Sequence, residues 1–360
     1  RIDGVLQDVA QLPKEQWKKF VSRIKLLAAL KINITDKPQD GRVTLKLSGS
    51  NLDVRVSTMP TVYGESVVMR ILYSGSKEVT FDELGLRGRS YEDLKREISR
   101  PNGMIVTTGP TGSGKTTTMY AILRQLNKPG VKIITLEDPV EIRMEGVNQS
   151  QVDQEEGYTF AAGLRSLLRQ DPDICMVGEI RDIETGQIAI QAALTGHLML
   201  STIHTNDASG AIPRFLSMGV KPYYLAPALN SVIGQRLVRK ICTHCKQEAE
   251  LTANQKEIVS KHLELLPEEE KTKIDIANPL FFTGKGCEQC SGLGYKGRIG
   301  IYEIFTKNKE IEQAILDQRI SEYEIRELAM KNGMITMVQD GLLKAIDGIT
   351  SVEEVFRVTE

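Results

Sequence analysis

Residues 109–116 read Gly109-Pro110-Thr111-Gly112-Ser113-Gly114-Lys115-Thr116, the spacing G-x-x-x-x-G-K-[ST], with Thr117 directly after. Such a loop suits a polyphosphate. Its glycines admit backbone conformations closed to other residues, so successive N–H groups can turn toward one anion. A helix starting at the last glycine points the positive end of its dipole at the same place. Lys115 is then expected to reach the β- and γ-phosphates of ATP, and the Thr116 hydroxyl to hold Mg²⁺. An apolar run precedes the loop and a helical pattern follows it, the context that separates this motif from an ordinary glycine-rich turn.

A phosphate loop needs acids at neighbouring strand ends to complete the metal shell and polarise water. Two apolar runs end that way: 133–136 runs into Glu137, Asp138, Pro139 and Glu141, and 173–177 runs into Gly178 and Glu179. In a parallel sheet both ends share the edge where ligands bind. A third run, 198–203, lies between His197 and His204, and the histidine at its C-terminal end could touch a γ-phosphate.

A second chemistry is written in the cysteines. Cys242-x-x-Cys245 and Cys287-x-x-Cys290 are separated by the 41 residues 246–286. Each pair offers two thiolates from one turn, and the two pairs together complete a tetrahedral Zn²⁺ shell with no open position, so the expected role is structural. The separation is too long for a compact ribbon and predicts a helical insertion, for which 256–265 has the composition. Cys175 stands alone in an apolar run and reads as a core residue.

Elements must carry these groups. Alternating short apolar runs at 103–108, 132–136, 173–177 and 197–202, with helical stretches between them such as 114–126 and 185–194, predict an α/β domain around a parallel sheet over 91–241. Before it, 1–90 reads as a small α/β domain. It has a helix over 14–30, two strands joined through Ser48-Gly49-Ser50-Asn51, a third strand over 66–72 and a linker at Ser74-Gly75-Ser76. The cysteine-bearing segment 242–300 and a helical stretch 301–360 follow. The 46 basic and 47 acidic residues leave a net charge of -1, which gives no support to nucleic-acid binding. No apolar run approaches the ~18 residues of a membrane span, and the paired cysteines suit metal in a cytoplasmic setting. The chain opens Arg1-Ile2-Asp3-Gly4 without methionine, and it reads as a piece of a longer protein.

Four segments together, GPTGSGKTT at 109–117, EDPVE at 137–141, LLRQDPDICMVGEIRD at 167–182 and GHLMLSTIHTN at 196–206, resemble the four boxes of the secretion ATPase superfamily, which powers type IV pili and type II secretion. RIDG at 1–4, RVSTMPTVYGESVVMR at 55–70 and YKGRIGIYEI at 295–304 extend the resemblance over essentially the whole chain. It implies a RecA-like core in a homo-hexameric motor, with ATP held between the core and the preceding domain. It also implies Glu141 as general base, Glu179 acting with Mg²⁺ and water, His204 near the γ-phosphate, and Glu137 and His197 within the nucleotide-binding set. Arg55 and Arg70 match arginines that the family places across the nucleotide. The cysteine insert resembles the assembly-type members, which implies pilus assembly through an inner-membrane platform protein. Type II secretion is the alternative, and a nucleic-acid translocase a more distant one.

Overall fold

Val21, Ile24 and Ala28 recur at helical spacing, and Lys14–Leu27 is helix α1 in the computed structural model, which describes residues 1–47, 50–73, 79–276, 278–318 and 321–359. The chain divides into two units, Arg1–Glu78 and Val79–Glu360. In the first, β1 (Gln39–Leu47), β2 (Ser50–Thr61) and β3 (Gly64–Tyr73) form an antiparallel sheet in that order. Ile24 and Ala28 pack against Val54 and Val56, every second residue of β2, as the alternation requires. Lys25 is fully buried; its ammonium pairs with Glu65 and donates to the Ile34 carbonyl at 2.6 Å, so α1 is tied to β3 by charge as well as by apolar contact. Ser48 and Gly49 of the expected turn, and the expected linker at 74–76, lie outside the described residues.

The second unit opens with α2 (Phe81–Leu84), closed by a Thr80/Glu83 capping box, and α3 (Gly88–Ile98). Then come β4 (Gly103–Thr108), α4 (Lys115–Leu126), β5 (Ile133–Glu137), β6 (Val147–Gln151), α5 (Phe160–Leu168), β7 (Ile174–Val177), α6 (Ile183–Leu194) and β8 (Leu198–Ile203). After these follow α7 (Ala211–Ser217), α8 (Pro222–Ala228) and β9 (Leu229–Ile241). A small hairpin of β10 (Lys246–Glu248) and β11 (Phe282–Gly284) brackets α9 (Ala253–Glu264) and α10 (Glu268–Lys271). The chain returns through β12 (Tyr295–Thr306) to α11 (Lys309–Asp317), α12 (Glu322–Lys331), α13 (Met337–Ile346) and α14 (Val352–Thr359).

Seven strands form one sheet in the order β12-β9-β4-β8-β7-β5-β6, parallel throughout except for β12, which runs antiparallel to β9. Both faces are covered. Met104, Val106, Leu136, Val177 and Met199 meet α5, α6 and α8, while Ile105, Ile133, Met176 and Leu200 meet α3 and α4. That double cover explains why β4, β7 and β8 read as continuous apolar runs rather than alternating ones. Cys175 lies fully buried in β7, and burial pushes its thiol up to about 12. The α/β class with a mostly parallel sheet agrees with the sequence, as does a helix in the cysteine insert. The sequence pattern did not announce β6, β9 and β12. β6 is a polar edge strand of five residues, and the second half of β9 and the first half of β12 bring charges into the apolar pattern.

Glu354 fastens α14 to the sheet. Its carboxylate accepts from the Arg239 backbone N–H at 3.0 Å, from Arg239 Nη2 at 2.5 Å and from Arg357 Nε and Nη2 at 2.7 and 2.8 Å. Burial opposes its charge, but the donors of Arg239 and Arg357 outweigh that and hold the carboxyl down at about 2. Glu354→Gln is therefore expected to lower stability by about 2–3 kcal/mol at pH 7. The folded-state value lies below the unfolded one of about 4.3, so the contribution is complete above that pH and fades as pH falls toward 2. Urea unfolding of both proteins should give a smaller difference at pH 3 than at pH 7; equal differences would contradict the assignment.

Candidate functional site

At Thr108 β4 gives way to the loop 109–114, which turns into α4 at Lys115. Gly109 has φ +144°, and a Cβ there would meet the Gln235 carbonyl at 2.5 Å; Gly114, the helix cap at φ +92°, would place one 2.8 Å from Gln235 Nε2. Both glycines thus answer to backbone conformation and to the close approach of β9. No side chain caps α4, so its first N–H groups stay turned to the loop. Lys115 Nζ donates to the Gly109 carbonyl at 2.6 Å and the Pro110 carbonyl at 3.1 Å. Burial lowers the pKa of this ammonium; Glu179 opposes the shift and Arg236 adds to it. The buried Ser113 hydroxyl has no hydrogen-bond partner among the described residues, while Pro110, Thr111, Gly112, Thr116 and Thr117 are exposed. A helix start, a lysine, an unused hydroxyl and exposed threonines together fit a polyphosphate and its cation.

The parallel register brings the other groups to this edge. Thr108 stands beside Ile203, Val177 beside Ser201 and Leu136 beside Val177, so β4, β8, β7 and β5 end together. Glu179, one residue beyond the Gly178 that follows β7, is mostly buried. Its Oε1 lies 2.5 Å from Arg181 Nη2 and its Oε2 3.2 Å from His204 Nε2. Thr108 Oγ1 donates to the Thr205 carbonyl at 2.9 Å and accepts from its N–H at 3.0 Å, which pins the His204 loop to the strand that precedes the phosphate loop.

Glu137 is placed differently. Its carboxylate, 3% exposed, accepts from Tyr120 at 2.5 Å, Thr135 at 2.6 Å and Gln149 at 3.1 Å. Tyr120 in turn accepts from the N–H groups of Glu141 and Ile142 at 3.3 and 3.4 Å. Glu137 therefore orders the segment carrying Glu141, and its own oxygens are taken up by protein donors. The two histidines also part company. His197 precedes β8 at the opposite end of the strand from His204, and its Nδ1 lies 3.0 Å from the Ala192 carbonyl. A strand of six residues spans about 20 Å, so the expected membership of His197 in the nucleotide-binding set is not what the geometry gives.

In the first unit, half-buried Arg55 on β2 stands opposite exposed Arg70 on β3, and Arg42 on β1 stands opposite Arg55. Directly opposed residues share a face, so three cationic side chains occupy one row of the sheet. Like charges so placed repel unless an anion compensates them. The sequence reading passed over Tyr120, Arg181, Gln235 and Arg236. Of these only Arg181 had a signal, its position two residues after Glu179; Gln235 and Arg236 owe their place to the register of β9, and Tyr120 to the face that α4 turns to the sheet.

Cys242, Cys245, Cys287 and Cys290 gather with all four sulfurs within 4.8 Å of one another. Sγ–Sγ distances are 3.8 Å for Cys242–Cys287, 3.9 Å for Cys245–Cys290 and 3.7 Å for Cys287–Cys290. A tetrahedral shell with Zn–S bonds of ~2.3 Å has edges of about 3.8 Å. Burial works against a charge on Cys290, but N–H groups of Cys287 and Gly294, each 3.2 Å from its sulfur, bring the thiol down to about 6. The cluster is compatible with zinc.

Residues 1–357 match the family described as Type II/IV secretion system protein. The chain is 45% identical over 359 residues to the type IV pilus assembly ATPase PilB of Thermus thermophilus, covering 100% of this chain and 39% of that one. It is 42% identical over 361 residues to the type II secretion system ATPase E of Vibrio cholerae, covering 100% of this chain and 69% of the other. Among solved structures it resembles the pilus retraction motor PilT with bound ADP, at 26% identity and a TM-score of 0.62, over 90% of this chain and 78% of that one. Sequence and fold agree, and the chain belongs to the Type II/IV secretion system protein family.

Proposed function

We propose that this chain binds ATP in the 109–117 loop and hydrolyses it, as a motor that drives assembly of a type IV pilus. The observation that carries this reading is the strand register that gathers Lys115, Glu179 and His204 at one edge, with Glu179 and His204 3.2 Å apart. Backbone N–H groups of the loop and Lys115 would hold the β- and γ-phosphates, and Thr116 with Glu179 would hold Mg²⁺, which neutralises phosphate charge when bound. Glu141 takes the proton of the attacking water as the bond from the γ-phosphorus to the bridging oxygen breaks. Its placement rests on Tyr120, and so on Glu137. His204 shares Glu179 with the metal side and can report the γ-phosphate through that bond. Arg55 and Arg70 would offset charge developing on the transferred group; guanidinium stays charged throughout. Positioning and charge compensation then supply most of the catalysis.

The relatives named for pilus assembly and for type II secretion support a part in such a machine; a homo-hexameric ring that acts on a platform protein of the inner membrane from its cytoplasmic face is the finer reading we propose. No helix among the described residues is long and apolar enough to cross a membrane. Type II secretion is the second reading, favoured by the relative from Vibrio cholerae. Within the second unit we assign 91–241 as the ATPase core, 242–300 as a zinc subdomain and 301–360 as a helical subdomain.

Two measurements check these roles. Lys115→Ala should weaken ATP binding more than 100-fold, while Glu141→Gln keeps binding and loses about 10²–10⁴ in turnover. An equal loss of binding in both would contradict the division of labour. Metal analysis should return about one zinc per chain, held by the four cysteines and lost from the Cys242→Ser/Cys287→Ser double variant with local unfolding of 242–300. Freshly purified protein without zinc would remove the claim.

A further inference from the structure

Thr118 lies in the first turn of α4 and is fully buried. Its hydroxyl donates to Gln235 Oε1 at 2.9 Å and lies 3.4 Å from the Tyr302 hydroxyl, which donates to the Leu84 carbonyl at 3.3 Å. Gln235 and Tyr302 are direct partners in the β9–β12 ladder. The other end of the Gln235 carboxamide abuts Gly114, the cap from which α4 starts. One carboxamide therefore touches both the phosphate loop and its helix.

The path continues to α13. The Tyr302 backbone N–H donates to Asp340 Oδ2 at 2.8 Å, and the same oxygen accepts from Lys344 Nζ at 2.5 Å. Lys344 is fully buried, also donates to the Gly300 carbonyl at 2.7 Å, and sits 5.3 Å from the centre of the Tyr302 ring. The next residue of β12, Glu303, accepts from the Ala208 N–H at 2.7 Å and from the Met337 N–H at 3.3 Å. Two successive residues of one strand thus reach the two nucleotide-side elements, α4 and the loop after His204, and both are bonded to the first turn of α13.

Buried polar groups are expensive to leave unmatched, so α4, β12 and α13 can shift only together or with loss of these bonds. We propose that Gln235 and Tyr302 are positioning residues for the nucleotide loop and that they couple nucleotide binding to helix α13. This rests on the reading of 109–117 as the nucleotide loop. Coupling of this kind is reciprocal: what holds α13 also sets affinity in the loop.

The test uses the whole chain, ADP as the probe, and the variants Gln235→Leu and Tyr302→Phe. Each should weaken ADP binding, by about tenfold for Gln235→Leu and less for Tyr302→Phe, which loses a hydroxyl alone. In the unaltered protein ADP should slow hydrogen exchange across 337–346, and Tyr302→Phe should blunt that response. If both variants bind ADP as the unaltered chain does, even with a lower unfolding midpoint, the residues only stabilise the fold and the inference is overturned. ADP binding with no response in 337–346 overturns the coupling. An unaltered chain that binds no ADP at all would instead overturn the reading of the loop, a separate result.

Discussion

Parallel pairing is the constraint on which the rest of this molecule depends. Strands that run in one direction deliver all their C-terminal ends to one edge, and short loops there need only a few residues to bring distant parts of the sequence together. Hydroxyl-bearing residues lock the register at that edge. Ser201 donates to the Val177 carbonyl at 2.8 Å and Thr202 to the Gly178 carbonyl at 2.7 Å, so β8 is stapled to the very end of β7 where Glu179 begins. Thr108 does the same between β4 and the loop after His204. A slip of one residue would turn these hydroxyls to the wrong face and part Glu179 from His204.

The carboxylates at this edge divide by environment. Glu137 lies inside the sheet with three donors on it and works on structure. Glu179 keeps contact with an arginine and a histidine at the mouth of the site, where charge can be exchanged with a ligand. Glu303 is fully buried, and burial raises its pKa against the pull of the Ala208 N–H. Three acids of similar sequence appearance thus hold three kinds of place, decided by depth and by which backbone N–H groups face them.

Much of this was legible beforehand, for physical reasons that can be named. The phosphate loop is legible because glycine, lysine and threonine are each demanded by a separate requirement at fixed spacing. The cysteine pairs are legible because thiolate geometry fixes the spacing within each turn. β4, β5, β7 and β8 are legible because double burial makes them short runs of mainly apolar residues, with the few polar ones hydroxyl-bearing or at a strand end. Gln235 and Tyr120 are illegible because nothing local distinguishes a buried glutamine or tyrosine at a ligand loop from one elsewhere; only the ladder and the helix crossing place them. The ends of β8 show the same limit from the other side. A histidine flanks each end, and only strand direction tells which one faces the phosphates.

The Asp340–Lys344 pair on α13 has a further consequence. β12 is the outermost strand on its side of the sheet, and Tyr302 N–H and Gly300 C=O are among the groups it turns away from β9. A free strand edge of that length invites pairing with another chain. Here α13 occupies those groups with a carboxylate and an ammonium, while β6 at the far side is short and polar. Those groups of β12 are therefore spent within the chain, and this edge of the seven-stranded sheet does not offer them to a strand from outside.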